Sequence, residues 1–441
     1  MSNGIETRGN ENYAATIVQV RHLEPLEGLD NLAGLRVLGF QALVPKDTPI
    51  GSLMVVFGAE TQLSETFASV NNLFRHSELN ADPDAKGYLE DNRRVKAIKM
   101  RGHRSDALAL SVDSLAFFLN ETAGMGPALG LDLPEGTVFD HLEGYEVCRK
   151  YVVPGTKVPG SGNQTPKKQR VSARVFPEHY DTTNGWRNSH LIPSHAYVTV
   201  TQKLHGTSVR FGNILVEREK PLRWWERLLT KVGVPVPTTE RAFVVGSRRV
   251  TKSVQGVSKS GDHFYGEGDI FTEAVSQYAE VIPKDFLVFG EIVGYTPEGQ
   301  PIQPKYTYNL APGRNRLYVY RVATVNEDGN VMDLPWEAVK QFCRERGMEH
   351  VPQLWSGFYD MALHLLESGE NAWIDTRHAD TYNGIAVPLS DAKTVDEGVV
   401  VRYDGGYIPT ALKFKSPIFL GHETKMLDKG EVDTESAESV E

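Results

Sequence analysis

Short runs in which apolar and β-branched residues alternate with polar ones recur through the first part of the chain. Ala14–Val20 is one run, Leu35–Val44 a second (a strand or a strand pair), and Leu53–Phe57 a third after the turn Thr48-Pro-Ile-Gly51. Arg94–Met100 and Ala107–Ser111 complete the set. A period of two puts every second side chain on one face, the signature of a half-buried strand. About five short strands separated by turn residues predict a small β-barrel of OB type, with a generic sandwich as the alternative.

The pattern then breaks. Residues 154–170, PGTKVPGSGNQTPKKQR, offer almost nothing to bury and read as a flexible linker. Beyond it the apolar runs lengthen and helical spacing appears. Phe286–Val293 and Leu317–Val322 read as strands, Trp336–Arg346 and Tyr359–Leu366 as helices. The expected organisation is a barrel over 1–153, a linker over 154–172, an α+β domain over 173–425 and a disordered acidic tail over 426–441. Among the last residues Asp428, Glu431, Asp433, Glu435, Glu438 and Glu441 stand against the single Lys429.

Composition narrows the class. The 441 residues are 40% hydrophobic and 24% charged, an ordinary globular balance able to build large cores. Cys148 and Cys343 are far apart, which excludes a disulfide framework or a zinc ribbon and suits a reducing cytosol. No basic region followed by an apolar run opens the sequence. The most apolar stretch, Ala107–Leu119, is interrupted by Asp113 and too short to span a bilayer. A cytoplasmic protein with no membrane association and no evident obligate protein partner is expected. The net charge of −10 argues against a polyanionic partner only on average. Residues 93–104, RRVKAIKMRGHR, reverse the sign locally. Arg93, Arg94, Lys96, Lys99, Arg101 and Arg104 form a candidate phosphate-binding surface, with a solvated strand face as the alternative.

Four segments of the second domain carry candidate chemistry. In Thr201-Gln-Lys-Leu-His-Gly206, Lys203 ends a strand run and Gly206 follows it closely. A nucleophilic lysine must shed its proton, which nearby cations, a metal ion or burial can bring about. Gly206 lets backbone approach a nucleotide with no Cβ in the way. Glu291 interrupts an apolar run in Phe289-Gly-Glu-Ile-Val-Gly294, and a buried carboxylate there requires a partner. Glu397, in Asp396-Glu-Gly-Val-Val-Val401, suits a hard divalent cation beside phosphate. Lys413 and Lys415, in Ala411-Leu-Lys-Phe-Lys415, share one strand face and suit a triphosphate. Taken singly, each also reads as an ordinary surface lysine, edge-strand glutamate or solvated face.

Their order along the chain resembles the covalent nucleotidyltransferase superfamily of polynucleotide ligases and capping enzymes. Its signatures are Lys-x-[Asp/His/Asn]-Gly, a Glu-bearing third motif, Glu-Gly-[Val/Leu]-Val and a final Lys-x-Lys, and all are intact here. The resemblance implies an ATP-grasp-like ligase domain of antiparallel sheets and helices, so an α+β chain overall. It makes Lys203, Lys413 and Lys415 catalytic. Gln202, His205, Gly206, Arg248, Glu291, Tyr320 and Glu397 would join these lysines in binding ATP, with Arg248 from Ser247-Arg-Arg249 on the ribose and Tyr320 stacked on adenine. Glu397 and Glu291 would hold Mg²⁺ or Mn²⁺, although Glu291 bound to the ribose hydroxyl stays open.

Only 26 residues follow Lys415, too few for a domain, whereas a barrel-like module leads. That arrangement resembles the fifth family of RNA ligases, with an N-terminal OB domain and a minimal transferase domain. Phe176-Pro-Glu-His-Tyr-Asp-Thr182 and the basic turn Arg101-Gly-His-Arg-Ser105 extend the likeness. The implied activity is ATP-dependent sealing of RNA ends bearing a 3′-hydroxyl and a 5′-phosphate, through a lysyl-AMP and an adenylated 5′-end. The alternatives are a DNA nick-sealing ligase and a non-catalytic RNA-binding protein with a relict transferase domain.

Overall fold

The computed structural model describes residues 4–124, 133–153, 171–179, 182–218, 222–248, 250–254, 257–258, 269–367, 378–382, 384–391 and 393–429. The linker expected at 154–170 and the end of the acidic tail, from 430 onward, lie outside them. The chain forms two compact units, Met1–Thr156 with Lys415–Val432, and Lys157–Phe414 with Asp433–Glu441.

In the first unit the alternating runs become strands β1 (Ala15–Gln19), β2 (Glu24–Pro25), β3 (Leu32–Val37), β4 (Phe40–Pro45), β5 (Leu53–Gly58), β6 (Ala107–Ser111) and β7 (Val138–Phe139). They make one sheet in the order β7-β1-β5-β6-β4-β3-β2. The run Leu35–Val44 resolves into the β3–β4 hairpin, because Leu38 and Gly39 both take positive φ, as a tight two-residue turn demands. Period two sorts the side chains onto two cores. Ile17, Val55 and Phe57 pack with Phe67, Phe118 and Phe139. Val18, Val56 and Ala109 pack with Leu35 and Val44. Helices α1 (Glu65–Val70) and α2 (Asp113–Ala123) cover the first core, with the Phe67 and Phe118 rings edge to face at 5.6 Å. Both faces of this sheet are therefore buried, where the alternation predicts half-buried strands. Among the described residues this sheet is open, with β7 and β2 at its edges, rather than the closed barrel the turn spacing suggests.

The Arg94–Met100 run is mostly not a strand. Only Ile98–Met100 extends, pairing with His103–Ser105 around Arg101 and Gly102, both at positive φ. A helix spanning Pro417–Asp428 belongs to this same unit, so residues 426–428, expected in the tail, are helical. Ser416 caps it by accepting from the Ile418 and Phe419 amides.

The second unit holds β8 (Tyr197–Lys203), β9 (Thr207–Glu217), β10 (Thr239–Ser247), β11 (Phe286–Gly294), β12 (Asn315–Val325), β13 (Gln353–Phe358), β14 (Gly398–Tyr403) and β15 (Thr410–Lys415). One sheet runs Thr183–Asn184, β15, β14, β8, β13. The other runs Val257–Ser258, Thr251–Val254, β10, β9, β11, β12, Val331–Asp333. Helices α3 (Trp336–Glu345) and α4 (Tyr359–Glu367) fall where the helical spacing predicts them. Strand β8 closes the first sheet's register at Lys203, and β9 opens the second sheet's at Thr207. Leu204-His205-Gly206 is therefore the step between two sheets, each with its own core. No helix of the described residues is long and apolar enough to cross a membrane.

Candidate active site

Antiparallel register places Lys203 opposite Gly398 and Gln202 opposite Val399. This pairing brings the nucleophile candidate to the start of β14, immediately after Glu397. The Lys203 Nζ lies 2.7 Å from Glu397 Oε2, and the His205 Nδ1 lies 3.5 Å from the same oxygen. Glu397 is 1% exposed, so its attraction for the ammonium is only weakly screened. Two motifs almost two hundred residues apart thus meet through one strand pair.

The turn after Lys203 is held by side chains from later segments. The Gly206 N–H donates to Glu291 Oε1 at 2.9 Å, and the Ser208 hydroxyl donates to Glu291 Oε2 at 3.0 Å. Both carboxylate oxygens of Glu291 are engaged, which answers the demand that a carboxylate in an apolar strand find partners. Gly206 is required by its own sheet: a Cβ there would sit 2.2 Å from the Ile292 carbonyl oxygen. Close approach of backbone to β11 is by itself enough to require this glycine.

Behind the turn lies a buried polar layer in which Gln202, expected among the ATP-binding residues, bonds to protein groups. Gln202 donates to Asp396 Oδ1 at 2.6 Å and to the Val387 carbonyl at 2.9 Å, and it accepts from the Val387 amide at 2.8 Å. Asp396 Oδ2 accepts from the His378 amide at 2.7 Å. Burial pushes the His378 imidazole below its ordinary pKa, although Asp396 pulls it back upward. Three side chains from residues 303–308 complete the surroundings. The His205 amide donates to the Tyr308 hydroxyl at 2.7 Å, and Gln303 donates to the Gly206 carbonyl at 2.9 Å. Tyr306 sets its ring edge to face with His205 at 4.8 Å. The nearest signal in the sequence is the aromatic doublet Tyr306-Thr-Tyr308 beyond Pro304.

Arg248 is buried beside Ser247, whose carbonyl accepts from Arg210 Nε at 3.0 Å. Arg210 also donates to the Phe176 carbonyl at 2.9 Å and stacks over its ring, tying the Phe-Pro-Glu-His segment to β9. His179 of that segment meets Tyr320 edge to face at 5.1 Å and Phe289 at 5.5 Å. Tyr320 is half-buried against the core that holds Phe289. Lys413, also half-buried, stands in β15 opposite Asn184. Lys415 groups with the first unit, where its Nζ pairs with Glu423 at 2.8 Å.

The basic segment divides. Arg94, expected on a phosphate-binding face, is instead a buried structural residue. Its guanidinium forks Glu60 at 2.6 and 2.8 Å and reaches Asp428 and the Thr424 carbonyl in the C-terminal helix. Lys96 pairs with Glu90 and Asp428, and Arg93 donates to the Leu63 carbonyl and Glu65. Lys99 and Arg104 stand directly opposite each other across the hairpin. Arg101, at the exposed turn, donates to the Gly28 carbonyl.

The step between the two sheets thus carries a lysine, with the buried carboxylate of Glu397 just before the strand paired with it. The family model for RNA ligase matches residues 196–417, half of the chain, a span that holds Lys203, Arg248, Glu291, Tyr320, Glu397, Lys413 and Lys415. The chain belongs to the RNA ligase family. Its fold is similar to that of a Naegleria gruberi RNA ligase, solved as a lysine mutant with ATP and Mn: 14% identity, 96% of this chain and 99% of that one, TM-score 0.55. The same ligase with PPi aligns at 14% identity over 94% and 99%, TM-score 0.55. Another mutant of it, with AMP and Mn, aligns at 14% over 92% and 98%, TM-score 0.54. No curated protein matches the chain.

Proposed function

We propose that this chain is an ATP-dependent RNA ligase that joins a 3′-hydroxyl to a 5′-phosphate through an adenylate carried on Lys203. The single observation that carries the reading is the 2.7 Å pairing of Lys203 with Glu397 at the junction of the two sheets. The Lys203 amine attacks the α-phosphorus of ATP, a P–N bond forms and pyrophosphate leaves. A 5′-phosphate oxygen then takes the AMP and frees the lysine. Finally the 3′-hydroxyl attacks the adenylated 5′-phosphate, a phosphodiester forms and AMP leaves. Charge gathers on non-bridging oxygens each time, so the work is positioning and electrostatic stabilisation. Lys413 and Lys415 are assigned to the transferring phosphate, Arg248 to the ribose and the RNA end, and Tyr320 to the adenine face.

Among the described residues no three His, Cys, Asp or Glu cluster as a closed metal cage. One buried carboxylate, Glu397, fits Mg²⁺ or Mn²⁺ of the kind that takes its remaining ligands from phosphates and water. Such an ion, held by Glu397, would supply positive charge at the phosphates and beside Lys203, where a neighbouring cation favours the free amine. Glu291, whose two oxygens accept from Gly206 and Ser208, is assigned to the turn and to the ribose or the metal. The first unit is read as an OB-like RNA-gripping module, with Lys99, Arg101 and Arg104 the cations best placed for phosphate.

Intact mass after incubation with ATP and Mg²⁺ or Mn²⁺ tests the core of this reading. One AMP is expected on Lys203, and none in Lys203→Ala or Glu397→Gln. An adduct that persists in Lys203→Ala overturns the nucleophile assignment.

A further inference from the structure

The turn that follows Lys203 carries three backbone polar groups with no ladder partner: the His205 N–H, the Gly206 N–H and the Gly206 carbonyl. Each is satisfied by a side chain. One is Glu291 of β11. The other two, Tyr308 and Gln303, come from a short irregular segment between β11 and β12. A buried backbone group left unpaired is costly, so these side chains determine which conformation the turn can hold.

That segment is itself firmly anchored. Lys305, Tyr308 and Asn309 all take left-handed φ, between 51° and 69°, which non-glycine residues adopt only when surroundings over-determine them. The Ser390 hydroxyl meets the Thr307 hydroxyl at 2.8 Å and accepts the Asn309 amide at 2.7 Å. The Ile302 amide bonds the Gly294 carbonyl at 3.0 Å, closing the segment onto the end of β11. Tyr306 then bridges two catalytic segments at once. Its ring lies against His205, and its hydroxyl donates to the Val395 carbonyl at 3.0 Å, two residues before Glu397.

We infer that Gln303, Tyr306 and Tyr308 form a positioning clamp that sets Lys203 and Glu397 for attack on the α-phosphate. The clamp touches neither reacting atom. It holds the His205–Gly206 turn from Tyr308 and Gln303, and it couples that turn to the Val395–Glu397 segment through Tyr306. The inference rests on the lysyl-adenylate reading, because the step in which Lys203 attacks is the one that takes its nucleophile from the residue before this turn. Sealing of a strand that already bears a 5′-adenylate bypasses that attack.

This asymmetry supplies a readout that a merely structural role would not move. The probes are ATP with Mg²⁺, and a nicked duplex carrying a 5′-adenylated strand, applied to the full chain and to Tyr308→Phe, Gln303→Leu and Tyr306→Phe. Tyr308→Phe removes one hydroxyl and keeps the ring, so roughly a three- to tenfold fall in the single-turnover rate of adduct formation is expected. The KM for ATP and sealing of the pre-adenylated nick should stay near those of the unaltered protein. Gln303→Leu should behave alike, and the Tyr308→Phe/Gln303→Leu pair should lose more than either. Equal losses in adduct formation and pre-adenylated sealing, or normal adduct formation in all three variants, overturn the clamp. Failure of the unaltered protein to form an adduct on Lys203 overturns the adenylate reading and the clamp together. Lowered melting temperature with unchanged adduct formation per folded molecule also counts against it.

Discussion

At Gly206 and His378 single atoms decide the outcome. An alanine at 206 would drive its methyl to 2.2 Å from the Ile292 carbonyl, and backbone cannot swing aside as a long side chain can. Relief requires β9 and β11 to part, which also displaces Glu291 from the turn. Gly206→Ala should therefore lose Lys203 adenylation by more than about tenfold and lower the melting temperature, both readable on one purified sample. Normal adduct formation in that variant would mean the turn tolerates far more movement than the geometry allows. His378 is fully buried and its pKa is depressed by desolvation. The unfolded chain then binds the proton more tightly, so stability is full above the unfolded value near 6.5 and falls as the pH drops through it. Urea unfolding between pH 5 and 8 should show that slope, and His378→Leu should flatten it. Lys203, Glu291 and Glu397 are legible in the sequence because each sits in a short motif whose order along the chain is distinctive. Gln303, Tyr308 and Asp396 are not, because what they do depends on contacts between residues about a hundred or more apart.

Among elements, the helix Pro417–Asp428 is the clearest case of structure made by distant partners. Arg94 is 1% exposed and Glu60 7%, and the Thr424 hydroxyl donates to Glu60 Oε1 at 2.6 Å. Removing one member of a buried ion pair strands the other, which typically costs about 3–5 kcal/mol. Arg94→Ala should destabilise the first unit by roughly that amount in denaturant titration, whereas Glu60→Gln with Arg94→Met should cost far less. A loss below about 1 kcal/mol in Arg94→Ala would show that the pair is not holding the helix. The same contact explains a misreading. In sequence, Arg94 is one more cation in a basic run, and its partners lie 34 and 334 residues away. Local periodicity does better where the sheet itself sets the pattern. Strands β1, β4, β5 and β6 and helices α3 and α4 fall close to their expected spans, because burial on one or both faces leaves a periodic trace. Sheet closure leaves no such trace, so an open sheet and a barrel read alike.

For the molecule as a whole, an RNA ligase with a net charge of −10 must confine its attraction for phosphate to particular surfaces. With Arg94 buried and Lys96 ion-paired, the hairpin carrying Lys99, Arg101 and Arg104 is the part of the basic segment that the proposed reading assigns to phosphate. On the proposed reading its contacts would be to backbone phosphates, which raise affinity without distinguishing RNA from DNA. The lysine site is equally indifferent, since a 5′-phosphate has the same chemistry on either sugar. On the proposed function, discrimination is expected at the strand end that supplies the 3′-hydroxyl, where the neighbouring 2′-hydroxyl and the A-form geometry it favours can be read. Four nicked duplexes, with RNA or DNA on each side of the nick, separate the two strands' contributions. In single turnover a ribonucleotide 3′-end should seal far faster than a deoxyribonucleotide one, with either sugar tolerated on the 5′-phosphate side. Sealing of both RNA-ended nicks should weaken together as salt rises, and the Lys99→Ala/Arg104→Ala pair should make that fall shallower. An all-DNA nick sealed as fast as the rest would make the enzyme blind to sugar, and the family's RNA preference would not extend to this chain.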